Sequence, residues 1–209
     1  MDANQNNRQR AYWLKTLHQW HWISSALCLL GMLLFSVTGI TLNHAAQIEG
    51  KPQVTNRTGQ VPEALRAELA GDTDKKAGPL PPGVRRWLAE ALKVEVADSA
   101  EGEWSADEVY VALPRPGGDA WVRIDRASGD TEYEVTDRGW ISYFNDLHKG
   151  RNTGAAWSWF IDIFAVAALL FSITGLFIMK MHAANRPTTW PIVGLGIVVP
   201  VVLALLFIH

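Results

Sequence analysis

The chain has 209 residues, of which 48% are hydrophobic and 19% charged, with a formal net charge of −2 and ten tryptophans. This length excludes a large multidomain enzyme. The interleaved charge signs leave no basic patch for nucleic acid.

Residues 1–22 open the chain as a polar segment carrying Arg8, Arg10 and Lys15, with 1–12 expected to be flexible. The first apolar run, 23–42, has 20 residues and no charge. A helix rises about 1.5 Å per residue, so this run crosses a hydrocarbon core of about 30 Å. It is longer than the apolar core of a signal peptide and its exit at His44 is a poor cleavage site, so it reads as an uncleaved anchor. Its cysteine, Cys28, has no partner for an internal disulfide and reads as a small packing residue.

Segment 45–154 holds 14 of the 19 basic residues and 19 of the 21 acids, a formal −5. Within it, 50–80 is rich in Gly, Pro, Thr and charge and reads as loop, apart from a short helix over 62–69. A second helix starts at Pro81 or Pro82, where Val84, Trp87, Leu88, Ala91 and Leu92 make one apolar face. Alternation then predicts strands over 109–113, 121–125 and 131–135, separated by the turns PRPGGD (114–119) and ASGD (127–130). One helix on a small antiparallel sheet, with one strand face under Trp87 and Leu88, is the simplest solution for so few residues. This segment shows no nucleophile with a paired base, no phosphate loop and no metal-spaced cluster.

Two further apolar runs follow. The first, 155–179, carries one acid, Asp162, and the second, 190–208, carries none. The expected organisation is therefore an α-helical membrane protein with three transmembrane helices (23–44, 155–180 and 190–209). A small α+β domain, 45–154, sits between helices 1 and 2, and a short loop, 181–189, precedes helix 3. Basic residues in 1–22 and in 181–189 place both on the cytoplasmic side, with 45–154 and the C-terminus outside. Trp13, Trp20, Trp22, Trp157, Trp159 and Trp190 stand where indole prefers the headgroup level. An acid inside a span is costly, so Asp162 is a functional candidate; the alternative is that it reaches Arg151 or loop backbone at the outer interface.

Five of the six histidines lie just outside the first two runs: His18, His21 and His44 around the first, His148 and His182 around the second. Imidazole is a common ligand for haem iron and other transition metals. The runs also share a repeat. LLFSVTGI at 33–40 and LLFSITGL at 169–176 agree at six of eight positions, and each has a Leu-His pair upstream (17–18 and 147–148) and a further histidine downstream. Antiparallel spans make this an inverted repeat, an arrangement that places sites between related helices. The small residues Ser36, Thr38 and Gly39, with Ser172, Thr174 and Gly175, permit close helix approach or a flat macrocycle. Topology pairs His18 or His21 with His182 at one face, and His44 with His148 at the other. His21 and His44 are 23 positions apart, roughly 35 Å along a helix, which argues against a simple two-centre electron wire.

The sequence LHQW at 17–20, the SVTG exit of the first span, the DRASGD turn at 125–130, and LHKG at 147–150 leading to Gly154 resemble, in that order, the PepSY-associated transmembrane helix family. The resemblance covers 12–182, with 80–137 similar to its extracytoplasmic PepSY module. Some larger members of that family are inner-membrane ferric-siderophore reductases with b-type haem. The resemblance implies one or two haem b groups held by His18, His44, His148 and His182, with His21 as an alternative to His18. It also implies a location in a bacterial cytoplasmic membrane. The chain is shorter than those reductases and has no nicotinamide or flavin domain. Three helices enclose a haem poorly, so a homo-oligomer or a partner membrane subunit is expected alongside lipid. The expected function is a redox component passing electrons to an outer acceptor such as chelated ferric iron. The rival expectations are a non-enzymatic anchored module that binds or regulates an envelope partner, and a metal-transport accessory holding a bare ion.

Overall fold

A computed structural model describes residues 3–48, 50–70 and 76–208. Positions 71–75 of the expected loop, and the C-terminal His209 expected outside, lie beyond the described residues. The chain runs helix, sheet, helix, helix. It divides into two compact units, one comprising the chain up to Leu34 and from Trp159 onward, the other spanning Phe35–Ser158.

Three helices are long and apolar enough to cross a membrane. Helix α1, Ala3–Asn43, has 41 residues. It corrects the expectation of a flexible start, because 3–12 contains no proline or glycine to stop the helix from propagating outward from the apolar run. Helix α5, Gly154–His182, carries the second run. Helix α6, Thr189–Phe207, is apolar on every side, and none of its residues is buried. An isolated helix of this kind is stable only in lipid.

The other unit is built on a six-stranded antiparallel sheet with spatial order β1-β6-β5-β4-β3-β2. The strands are β1 Gln53–Gln60, β2 Ala77–Pro79, β3 Glu101–Trp104, β4 Glu108–Ala112, β5 Gly118–Asp125 and β6 Asp130–Asp137. Helices α2 (Glu63–Leu69) and α3 (Pro82–Trp87) cover one face, and α3 continues as a π turn over Leu88–Leu92 that ends at Lys93 in the left-handed region. Val109, Val111, Val122 and Ile124 point to that face and are fully buried against Val84 and Leu88. Each such side chain contributes roughly 1.5–3 kcal/mol relative to exposure. Their alternation partners, Tyr110, Trp121 and Arg123, stand on the opposite face, where Tyr110 stacks on Trp121.

The β5–β6 turn shows what the DRASGD residues do. Asp125 Oδ1 accepts hydrogen bonds from the Ala127 and Ser128 backbone N–H groups at 3.0 and 2.7 Å and from Ser128 Oγ. Gly129 takes φ +77°, and a Cβ there would meet Val61 O at 3.0 Å. Arg126 folds inward, donating from Nε to Leu69 O at 2.9 Å while its guanidinium lies over Trp104.

The expected fold class needs correction. The sheet-bearing unit is not a small α+β insert set between two separate helices. It takes in the last turns of α1 from Phe35, the first residues of α5 to Ser158, and an additional helix, α4, Gly139–Lys149. Side-chain hydrogen bonds weld these parts together: Thr41 Oγ1 donates to Asn145 Oδ1 at 2.9 Å, and Trp157 Nε1 donates to Leu147 O at 2.9 Å. The sheet also has twice the three strands expected, because β1 and β2 occupy the stretch read as loop and β3 precedes the first predicted strand. Strand β1 is exposed at nearly every position. Its hydrogen-bonded register with β6, from Gln53 opposite Asp137 to Gln60 opposite Asp130, holds it in place without any apolar alternation.

Candidate functional site

The candidate site residues fall into two groups, one in each unit. In the unit of helix ends and spans, His18 and His182 meet edge-on, with ring centroids 6.3 Å apart and planes at 89°. Each ring bonds back to its own helix. His18 Nδ1 lies 2.8 Å from Leu14 O, and His182 Nδ1 lies 2.9 Å from Ile178 O. A carbonyl oxygen only accepts, so both Nδ1 atoms carry a proton, and in the neutral ring Nε2 is the nitrogen with the free lone pair. Metal-binding histidines are commonly oriented in this way by the other ring nitrogen. Beside them a groove of about 620 Å³ runs between α1 and α5, walled by Trp13, Leu17, Phe177 and Met181 and rimmed by Arg10 and Lys180. Arg10 also donates to Met181 O at 3.1 Å.

His21 lies one turn further along α1 and plays a different part. Its Nδ1 is 3.1 Å from Thr174 Oγ1 and 3.2 Å from Phe171 O, and its ring stacks on Phe171 at 4.5 Å and 18°. Gly175 leaves the space: a Cβ there would lie 3.3 Å from His21 Cε1. Thr174 Oγ1 donates its proton to Leu170 O at 2.7 Å, so it accepts from imidazole. Asp162, the acid of the second run, stays exposed on the surface of α5.

In the sheet-bearing unit His148 repeats this arrangement. Its Nδ1 is 2.7 Å from Thr38 Oγ1, its ring lies 5.0 Å from Phe35, and a Cβ on Gly39 would sit 3.5 Å from its Cε1. Thr38 Oγ1 donates to Phe35 O at 3.2 Å. Each copy of the Phe-Ser-x-Thr-Gly motif therefore cradles one histidine: the phenyl ring meets its face, threonine accepts its Nδ1–H, and glycine leaves room at its Cε1. His44 is exposed, with Nδ1 3.0 Å from its own Ile40 O, and no ring contact joins it to His148 among the described residues.

Of the expected pairing of His18 or His21 with His182, the rings of His18 and His182 come into contact, and among the described residues no ring contact joins His44 to His148. The Leu-His pairs at 17–18 and 147–148 aligned His18 with His148, whereas the cradles make His21 the counterpart of His148. What the sequence reading missed was the partner of each repeat. A motif duplicated with identical threonine, glycine and phenylalanine calls for a duplicated ligand, and that is the signal that pointed to two equivalent imidazoles. Among the described residues, no group of three or more His, Cys, Asp or Glu side chains is placed to hold a bare metal ion.

No curated protein and no solved structure matches the chain. A family profile described as Putative PepSY_TM-like matches residues 12–209, which takes in α1 from its first turns, the whole sheet, α4, α5 and α6. With nearly the full chain matched, from the first span through the last, the protein belongs to the PepSY_TM-like family.

Proposed function

We propose that this protein is a membrane redox component in which His18 and His182 would hold a b-type haem through their ring nitrogens. The observation that carries this reading is the close imidazole pair, with ring centroids 6.3 Å apart and both Nδ1–H groups already bonded to their own helices. The donor set fits haem better than a bare cation, because two nitrogens alone leave a divalent ion's other positions unfilled. The neighbouring groove offers apolar walls for a macrocycle and the cations Arg10 and Lys180 for its carboxylates.

When bound, haem would supply one-electron chemistry. The chain's own contribution would be to fix ring orientation through Leu14 O and Ile178 O. Trp13 and Phe177 give the groove apolar walls. Both histidines are exposed, so a second copy or a partner subunit completes the enclosure. The acceptor in this reading is extracytoplasmic, an orientation supported by the basic residues Arg8, Arg10 and Lys15 near the start of α1.

An absorption spectrum of the full-length protein purified in detergent tests this. A Soret band, and an α band that appears on dithionite reduction, are expected, both lost in His18→Ala and His182→Ala and retained in His44→Ala. Colourless protein expressed with ample haem, or bands that survive the double substitution of His18 and His182, overturns the reading and leaves a membrane-anchored binding module.

A further inference from the structure

We propose that α4 is an interfacial helix whose aromatic face lies in the headgroup layer of a phospholipid bilayer. The argument starts from a polarity inversion. A helix on a water-soluble domain buries its apolar stripe and exposes its polar one. Helix α4 does the opposite. Asn145 and Asp146 are buried at 7% and 8% exposure, while Trp140 is 76% exposed and Ile141, Tyr143 and Phe144 are each near 40%.

The inward polar groups are satisfied. Asp146 Oδ2 accepts from the Gly117 N–H at 2.9 Å, Asn145 Oδ1 accepts from Thr41, and His148 Nδ1 donates to Thr38. The outward groups form one continuous apolar patch. Trp140 stacks with Phe144 at 6.2 Å and 29°, and Tyr143 meets both rings edge-on. A buried polar face and an exposed aromatic one are the informative reversal of the usual rule. The medium outside α4 is therefore apolar.

The occupant follows from what α4 is attached to. Its inner face is bonded to Thr38 and Thr41, in the last turns of one membrane-spanning helix. Only residues 150–153 separate it from the start of the next, and Trp157 of that helix donates to Leu147 O. A short helix held between the ends of two spans sits at the depth where the bilayer's headgroups begin. Trp and Tyr are the residues that favour that layer, and a helix lying in its plane buries its apolar face by about 5–10 Å. The exposed Lys149 ends the patch with a cation available to lipid phosphates, while Arg138, which precedes it, is paired with Asp119. This inference is independent of any haem.

The test uses the full-length protein in nanodiscs of phosphatidylcholine and phosphatidylglycerol, with Cys28 replaced by Ala. Nitroxide labels go on Phe144→Cys and, separately, Tyr143→Cys. Val166→Cys on the exposed side of α5 serves as the lipid reference and Glu132→Cys on β6 as the water reference. Relaxation by dissolved oxygen and by a water-soluble nickel chelate is then read. The expected result is strong oxygen relaxation with loss of the nickel effect at 143 and 144, as at 166. Nickel relaxation at both sites equal to that at 132 overturns the proposal in favour of a water-facing helix. Protection from both reagents overturns it in favour of a second copy or protein partner on the patch.

Discussion

The duplicated cradle makes a quantitative prediction about His148 and His21. Replacing Thr38 by Val keeps the shape of the side chain but removes the oxygen that accepts the His148 Nδ1–H at 2.7 Å. Thr38 is 5% exposed, so its own loss of a hydroxyl costs little solvation. Side-chain hydrogen bonds between helices in membranes couple by about 0.6 kcal/mol on average and by up to about 1.7 kcal/mol. The short distance puts the Thr38–His148 pair in the upper half of that range. The Thr174–His21 pair, at 3.1 Å, belongs in the lower half because its imidazole shares the proton with Phe171 O. The assay is a double-mutant cycle with Thr38→Val and His148→Ala, and a second with Thr174→Val and His21→Ala, read by reversible unfolding in mixed micelles. Coupling of about 1 kcal/mol or more in the first cycle, exceeding that in the second, is expected. Coupling below about 0.3 kcal/mol in both, the range of independent sites, refutes the cradle as an energetic unit.

Two further predictions concern the sheet-bearing unit. Gly117 adopts φ +74°, and a Cβ there would lie 2.8 Å from Tyr143 Cα, so Gly117→Ala should destabilise this unit by at least the ~1–3 kcal/mol of a strained backbone. Amide hydrogen exchange should show the loss concentrated in β5 and α4, and unchanged protection in those elements would contradict the packing described. Asp125 has its carboxyl pKa held below the ordinary value of 3.8, first by the Ser128 backbone N–H and then by the Ser128 hydroxyl. A depressed carboxylate contributes stability that is complete above its unfolded value and fades as pH falls through the lower folded one. Asp125→Asn keeps an acceptor but cannot titrate. The stability difference between wild type and variant should therefore be flat at neutral pH and shrink only below about 3.8; a difference that changes between pH 5 and 7 would show that another group is responsible.

Much of the architecture follows from local pattern. Apolar runs of about the length needed to cross a hydrocarbon core make the three apolar helices legible, as are the α3 face of Val84 and Leu88 and the hairpin strands around DRASGD. Elements without an apolar rhythm were not. Strand β1, QVTNRTGQ, is a strand because β6 offers it a ladder, and its side chains do not record that pairing. Helix α4 reads ambiguously because its polar residues face inward and its aromatic ones outward.

The histidines divide along the same line. Their positions at the ends of two related runs are a property of the sequence alone, and so is the repeated Phe-Ser-x-Thr-Gly motif. Which imidazole enters which motif, and which pair of rings meets across α1 and α5, depends on contacts between residues more than a hundred positions apart. Helix rotation and packing distance set those contacts. A shift of one residue along a helix turns a side chain by about 100°, enough to exchange His21 for its neighbours, so only the assembled tertiary structure could select it.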